Sequence, residues 1–430
     1  MSDLRGTLQG CLLGLAVGDA MGHTVDRKNL EEICADYGPN GLLGYDLVNG
    51  YADVTSYTQI AAFSANGLLM GLTRGQLQGR QAPLVRYIAL ALREWSRSQH
   101  YCQQERNYCW LSGVPEMKRR FCMDTWMLSV LAQTPLGTME SPTNRSSHPA
   151  SLTAVIPIAM LSDRLGIPQE ETDRLGAEAV ALTHGNPDAF LSGAVLTHML
   201  SRVVQGCELS VRELVADTVD AIQIQFGKAY PQTAALWEVL QMALTLADSE
   251  ELTQMEAMER LSCRTASEVL AGAVYAWATC HEDFDAAMIT AVNHSGRSAA
   301  VGAVTGALLG AKFGYDALPE FYLESLEPVQ YLLELADDVL QGCPMDPGSN
   351  LFDDEWDRKY LHAGPETEFF HTKPAKLGFI VPKPSPGGSL LGATAPEQPP
   401  NSTLNRNLEH FGVRKILPRI ASIFQKAGVF

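Results

Sequence analysis

Asn293-His294-Ser295-Gly296-Arg297-Ser298-Ala299-Ala300 runs without a break into VGAVTGALLGAKFGYDALPE, Val301 to Glu320. A polar turn thus opens a helix of small residues in which Gly302, Gly306 and Gly310 recur at every fourth position. Residues four apart share one helix face. Glycine inside a helix costs about 1 kcal/mol against alanine, so three in register call for a close backbone neighbour. A second stripe, Gly10, Gly14 and Gly18, lies near the start of the chain. The two helices are expected to pack tightly in the centre of the domain, with each other as one candidate partner. A membrane dimer motif is the rival reading of such stripes, but Asp19, Lys312 and the shortness of the apolar runs argue against it.

Between these two helices the chain reads as helix almost throughout. In TQIAAFSANGLLMGL, Ile60, Phe63, Leu68, Leu69 and Leu72 recur near helical spacing. VRYIALALREWS, DAFLSGAVLTHMLSRVV, TAALWEVLQMALTLA, ASEVLAGAVYAWAT and PVQYLLELADDVL behave alike, and alternating strand patterns are scarce. The fold class is therefore all-α.

Composition narrows the function classes. The chain has 430 residues, a net charge of −17 and nine cysteines. That charge argues against a general nucleic-acid binder, whose footprint would be basic. The cysteines are scattered, odd in number and without zinc-type pairing, as reduced thiols in a cytoplasmic protein would be. Cys102 and Cys109 have a spacing that suits two helical turns. MSDLRGTLQG lacks the basic and apolar regions of a secretory signal. No apolar run approaches the length of a membrane span, so no transmembrane segment is expected.

The composition changes at Cys343. Residues 1–342 are read as one helical domain, 343–403 as an acidic and then Pro/Gly/Ser-rich linker, and 404–430 as a tail. The acidic cluster Asp353, Asp354, Glu355 and Asp357 reads as a solvated loop. In the tail, Arg406, Arg414, Lys415, Arg419 and Lys426 accompany Ile416, Leu417, Ile420, Ile423 and Phe424. A basic amphipathic helix of this kind would suit a protein partner or an acidic surface.

The stretch from Asn293 resembles the last motif of the ADP-ribosylglycohydrolase family, N-x-G-G-D-T-D-T-[IV]-G-A followed by the small-residue helix. Arg297 stands where the first aspartate is expected and Ala299 where the second is. Gly10 to Gly22 resembles the family opening G-x-[LA]-x-G-x-A-x-G-D-A-x-G, with Asp19 as its aspartate. Asp26 falls where a glutamate near the metals is usual. Thr55-Ser56-Tyr57-Thr58-Gln59 aligns with T-D-D-T-[QM], and Thr183-His184-Gly185-Asn186-Pro187 with T-H-x-x-P. Ser151 to Pro157 is similar to M-R-x-x-P, with Ala154 for the arginine. The matches come in family order over about residues 6 to 340.

The resemblance implies an all-helical fold and an ancestral hydrolysis of ADP-ribosyl glycosidic bonds, assisted by two Mg²⁺ ions on carboxylate and threonine oxygens. By position the ligands would be Asp26, Thr55, Ser56, Tyr57, Arg297, Ala299 and Ala300. Only Asp26 keeps a carboxylate and only Thr55 a threonine hydroxyl, and a guanidinium at 297 repels a cation. No metal cofactor is expected; Asp46 and Asp53 are the carboxylates that could rebuild a single site. Asp26 and Asp19 remain as remnant catalytic candidates, although Asp19 also suits a capping role for the next helix. Thr55, Ser56, Tyr57, His184, Asn293, His294, Arg297 and Ser298 are the candidate ligand-binding residues. Arg297 could pair two-pronged with a diphosphate or salt-bridge Asp26 or Asp19, and His184 could face the ligand or be structural. The expected function is a metal-free, degenerate member that binds an ADP-ribose-like nucleotide, an ADP-ribosylated protein or another partner. An active hydrolase with rewired metal dependence and a scaffold working through the tail are the alternatives.

Overall fold

The computed structural model describes residues 3–100, 107–281, 283–349 and 351–361. α1 (Leu4–His23) is followed by the short α2 (Leu30–Tyr37). α3 (Ser56–Gln78) and α4 (Leu84–Gln99) pack as a hairpin, ahead of α5 (Thr125–Leu131). α6 (Ile156–Met160) and α7 (Ser162–Leu165) lead to a second hairpin of α8 (Gln169–Ala181) and α9 (Pro187–Val204). Next come α10 (Val211–Phe226), α11 (Thr233–Ala247), α12 (Gln254–Leu261), α13 (Ala266–Cys280) and α14 (Phe284–Val292). α15 (Ser298–Phe313), α16 (Glu320–Ser325), α17 (Val329–Gln341) and α18 (Asp354–Tyr360) complete the order. Among the described residues there are isolated β-bridges but no named strand. No described helix is long and apolar enough to cross a membrane.

The centre of the domain is the pairing of α1 with α15. The stripes meet face to face in antiparallel register. A Cβ on Gly10, Gly14 or Gly18 would land on the carbonyl oxygen of Gly310, Gly306 or Gly302 respectively, and one on Gly22 would meet Ser298. Both helices are buried along nearly their whole length, as expected of an element packed on all sides. The register brings the C-terminal end of α1 beside the N-terminal end of α15, and that junction holds the candidate site.

The helical domain continues past residue 342. The acidic segment expected as a solvated loop contains α18, capped by Asp353, whose carboxylate accepts from the N–H groups of Glu355 and Trp356. Its acidic residues cluster around the first turn, where the helix dipole favours them. Trp356 and Tyr360 face inward and are buried. The Trp356 indole donates to Thr73 Oγ1 at 2.9 Å, and the Tyr360 hydroxyl donates to Asp338 at 2.6 Å. Charge density on the outer face hid this inner pair of aromatics. Cys109, expected on a helix, is extended ahead of a short 3₁₀ turn at Trp110–Gly113; Cys102 and the tail at 404–430 lie outside the described residues.

Candidate functional site

Three chain segments converge where α1 ends. Asp19 is fully buried in the last turns of α1 and points at the first turn of α3. Its carboxylate accepts from the N–H and hydroxyl of Thr55, at 2.8 and 2.6 Å, and from those of Thr58, at 3.0 and 2.6 Å. Oδ1 takes one of these four donors and Oδ2 three, so Asp19 caps α3 and is committed to that helix. Burial pushes its pKa upward while the four hydrogen bonds pull the other way.

Asp26 sits in the turn after α1. Oδ1 accepts from the Ala299 N–H at 3.0 Å, at the start of α15. Among the described residues, Oδ2 is buried without a hydrogen-bond partner. Burial raises the pKa of this carboxyl, against the Ala299 hydrogen bond and the field of Arg297. Tyr57, on the first turn of α3, has a buried hydroxyl that likewise lacks a partner. Burial lifts this phenol well above its ordinary pKa, and the charges of Asp26 and Arg297 both reach it. The backbone of this turn is pinned from outside, by Thr153 Oγ1 donating to the Tyr57 carbonyl at 2.7 Å. Ser56 is occupied too: its N–H donates to the Phe121 carbonyl at 2.9 Å, and its Oγ accepts from the Met123 N–H at 3.0 Å.

Arg297 is the partly buried cap residue of α15. Among the described residues, no ion pair or side-chain hydrogen bond engages its guanidinium. The salt bridge expected with Asp19 or Asp26 does not form, because Asp19 is consumed by α3 and Asp26 turns Oδ1 to the α15 backbone. Arg297 instead borders a cleft of about 290 Å³, together with Asp26, Arg27, Lys28, Arg264 and Ser295.

The other candidates from the last motif do not face this cleft. Asn293 is buried, accepting from the Leu42 N–H at 2.8 Å and donating to the Leu42 and Ile289 carbonyls at 2.9 and 2.8 Å. It ties the 42 segment to the end of α14. His294 is fully buried, bridging the Ala291 carbonyl at 3.0 Å and the Gly296 N–H at 2.9 Å. Burial lowers its pKa to about 4. The Ser298 hydroxyl donates to the His294 carbonyl at 3.2 Å. These three residues build the turn that presents Arg297.

His184 is buried below a neighbouring group that the sequence did not single out. Its Nδ1 lies 2.8 Å from Ser151 Oγ and 2.9 Å from Thr183 Oγ1, and its Nε2 lies 3.1 Å from Asp124 Oδ2. Ser151, His184 and Asp124 thus touch in the order of a hydrolase triad, but the hydroxyl is fully buried and the carboxylate is the outer member. A nucleophile shut off from solvent cannot meet a substrate. His148 stacks near His184, ring centroids 6.2 Å apart, and burial beside the charge of Arg297 lowers its pKa to about 4. Asp124 and His148 stand in no motif, which is why they went unnoticed.

The geometry defines an all-helical protein whose cleft lies between the turn after α1, the start of α2 and the turn that opens α15. The chain belongs to the ADP-ribosylglycohydrolase family, whose model matches residues 1–348. Among solved structures, an ADP-ribosylglycohydrolase-related protein complex contains a chain similar to this one, with a TM-score of 0.53 and 21% identity. The match covers 80% of this chain and 100% of that one, and at this identity it shows the fold. No curated protein matches the chain.

The two-magnesium centre of the family does not fit the residues present. Hard cations need oxygen ligands, and positions 299 and 300 offer only methyl groups, both buried. The Ala299 N–H occupies the one hydrogen-bonded oxygen of Asp26, Ser56 is engaged by backbone, and Arg297 brings a fixed positive charge. The two substitute carboxylates are also committed: Asp46 accepts from the Tyr37 hydroxyl at 2.9 Å, and Asp53 is ion-paired with Arg119.

Proposed function

We propose that this protein is a degenerate family member that binds an ADP-ribose-like anion without a two-magnesium centre and does not turn it over as its relatives do. What carries the reading is the Arg297 guanidinium, which among the described residues has no side-chain partner, at the rim of a cleft also lined by Asp26, whose buried Oδ2 is orphaned. A buried polar atom without a partner costs roughly 1–3 kcal/mol, which a ligand hydroxyl would recover. The cleft sets Arg27, Lys28, Arg264 and Arg297 against Asp26 and Glu32, a local excess of positive charge on a chain of net charge −17. Such a local reversal of sign suits a diphosphate, to which a guanidinium can bond in two-pronged fashion. Its volume is at the small end for ligand pockets, enough for the diphosphate and ribose portion to enter.

Titration calorimetry with ADP-ribose tests this. Micromolar binding that weakens at least tenfold in Arg297→Ala is the expected result. No heat at millimolar ligand would remove the nucleotide reading and leave a scaffold role through another surface. Release of ADP-ribose from arginine- or serine-linked substrates should fall at least about a thousandfold below intact relatives, equivalent to roughly 4 kcal/mol of lost transition-state stabilisation.

A further inference from the structure

Asp124, His148 and His184 come from three separate segments, yet place one potential ligand atom each within 4.8 Å of the others. Asp124 Oδ2 is 3.1 Å from His184 Nε2 and 3.9 Å from His148 Nδ1. The ligand atoms of a tetrahedral zinc site stand roughly 3.3 Å apart, given bonds of about 2.0–2.1 Å. One edge of the triangle already has that length, and a second needs a ring shift of under about 1 Å.

We propose that these three residues form a mononuclear site for a borderline divalent cation of the Zn²⁺ class, distinct from the lost two-magnesium centre. Two imidazoles and a carboxylate select Zn²⁺, Co²⁺ or Ni²⁺ over Mg²⁺. The surroundings hold the donors as a metal site requires. Ser151 and Thr183 both contact His184 Nδ1. With the Nδ1 proton donated to one of those hydroxyls, Nε2 presents its lone pair on the side of the Asp124 oxygen, as ligation of a shared cation requires. Asp124 Oδ1 is fixed by the Trp126 N–H at 3.0 Å, which leaves Oδ2 for the metal. His148 Nδ1 accepts a single bond, from the Ala150 N–H at 3.2 Å, which ligation would replace. His184 is sealed, while the Asp124 and His148 side chains keep 12% and 18% exposure. The site is therefore open on one side, leaving a coordination position for water or a ligand.

Arg297 opposes the cation, since its charge reaches His148. This separates the present inference from the nucleotide reading: Arg297→Ala should weaken ADP-ribose binding yet tighten Zn²⁺ binding. The test uses the full chain, stripped with chelator and titrated with ZnCl₂, then with Co²⁺ followed by visible absorption. One equivalent per chain is expected, with a cobalt spectrum free of a thiolate charge-transfer band. That band matters because Cys122 lies two residues from Asp124. His148→Ala and Asp124→Asn should each weaken binding at least tenfold, with circular dichroism and melting temperature confirming that both still fold. Absence of stoichiometric binding would overturn the site, as would binding that survives both substitutions or a dominant thiolate band.

Discussion

Asp26 gives its Oδ1 to the N–H of Ala299 at 3.0 Å, across 273 positions of sequence. Alanine stands at 299, and its N–H at the start of α15 is satisfied by this acid. Negative charge at a helix N-terminus is favourable, so Asp26 acts as a cap on α15.

That capping contact predicts the behaviour of Asp26→Asn. The folded pKa of this carboxyl is raised above its unfolded value. Ionisation at neutral pH is therefore less favourable in the folded state, and the charged form lowers stability there. Asparagine retains an acceptor for Ala299 and removes the charge. The urea midpoint at pH 7.5 should stay level or rise, and millimolar Mg²⁺ should not shift the melting temperature of either protein. A Mg²⁺-dependent rise that disappears in Asp26→Asn would restore Asp26 as a metal ligand.

Gly306→Ala should destabilise by at least about 2 kcal/mol, the usual range for overpacking a core being 1–3. The sign is diagnostic. Helix propensity alone would favour alanine by about 1 kcal/mol, but the added Cβ falls on the Gly14 carbonyl. Chemical denaturation measures the outcome, and a stabilised variant would mean that α1 and α15 are not in backbone contact.

His294 should make stability fall on acidification. Its folded pKa is lowered to about 4 from an unfolded value of about 6.5, so its contribution is complete above 6.5 and is lost as the pH drops toward 4. The span corresponds to roughly 3 kcal/mol at most. Asp19 and Asp26, both raised, push the other way, so the comparison has to be with His294→Gln, whose stability should decline less between pH 6.5 and 4.5. Proton NMR provides the direct reading: the His294 ring should not titrate above about pH 5.

Trp356→Ala should lower stability by about 3 kcal/mol, the common cost of removing a buried aromatic. A chain ending at 342 should lose at least as much, because α18 leaves with both Trp356 and Tyr360. Unchanged unfolding midpoints in the two variants would mean that α18 is dispensable and that the domain does end near 342.

Much of the fold was legible because its signals are local. The helical spacing of TAALWEVLQMALTLA, for example, coincides with the bounds of α11, Thr233–Ala247. The capping role of Asp19 could be entertained because it stands at the end of the first helical pattern, whereas its partners Thr55 and Thr58 were not legible. α18 was missed because its buried face is only two aromatics among acidic residues. Asn293 and His294 were read as ligand-facing because the family resemblance places their motif at the ligand site, while their own bonds run into Leu42, Ile289, Ala291 and Gly296.

The sequence by itself determined that helices form, that two of them carry glycine faces able to touch, and that Ser56, Tyr57, Arg297 and Ala299 stand where the family resemblance expects carboxylates. Those properties reside in residue identity and in spacings of three or four, within the reach of a single helical turn. Only the tertiary structure decided which groups stay free once helices are packed: Asp19 and Asn293 are used up, whereas Arg297, Asp26 Oδ2 and the Tyr57 hydroxyl are left over. It alone brought Asp124 and His148 to His184, since contacts between residues tens of positions apart follow from how helices stack, and no periodicity along the chain encodes that.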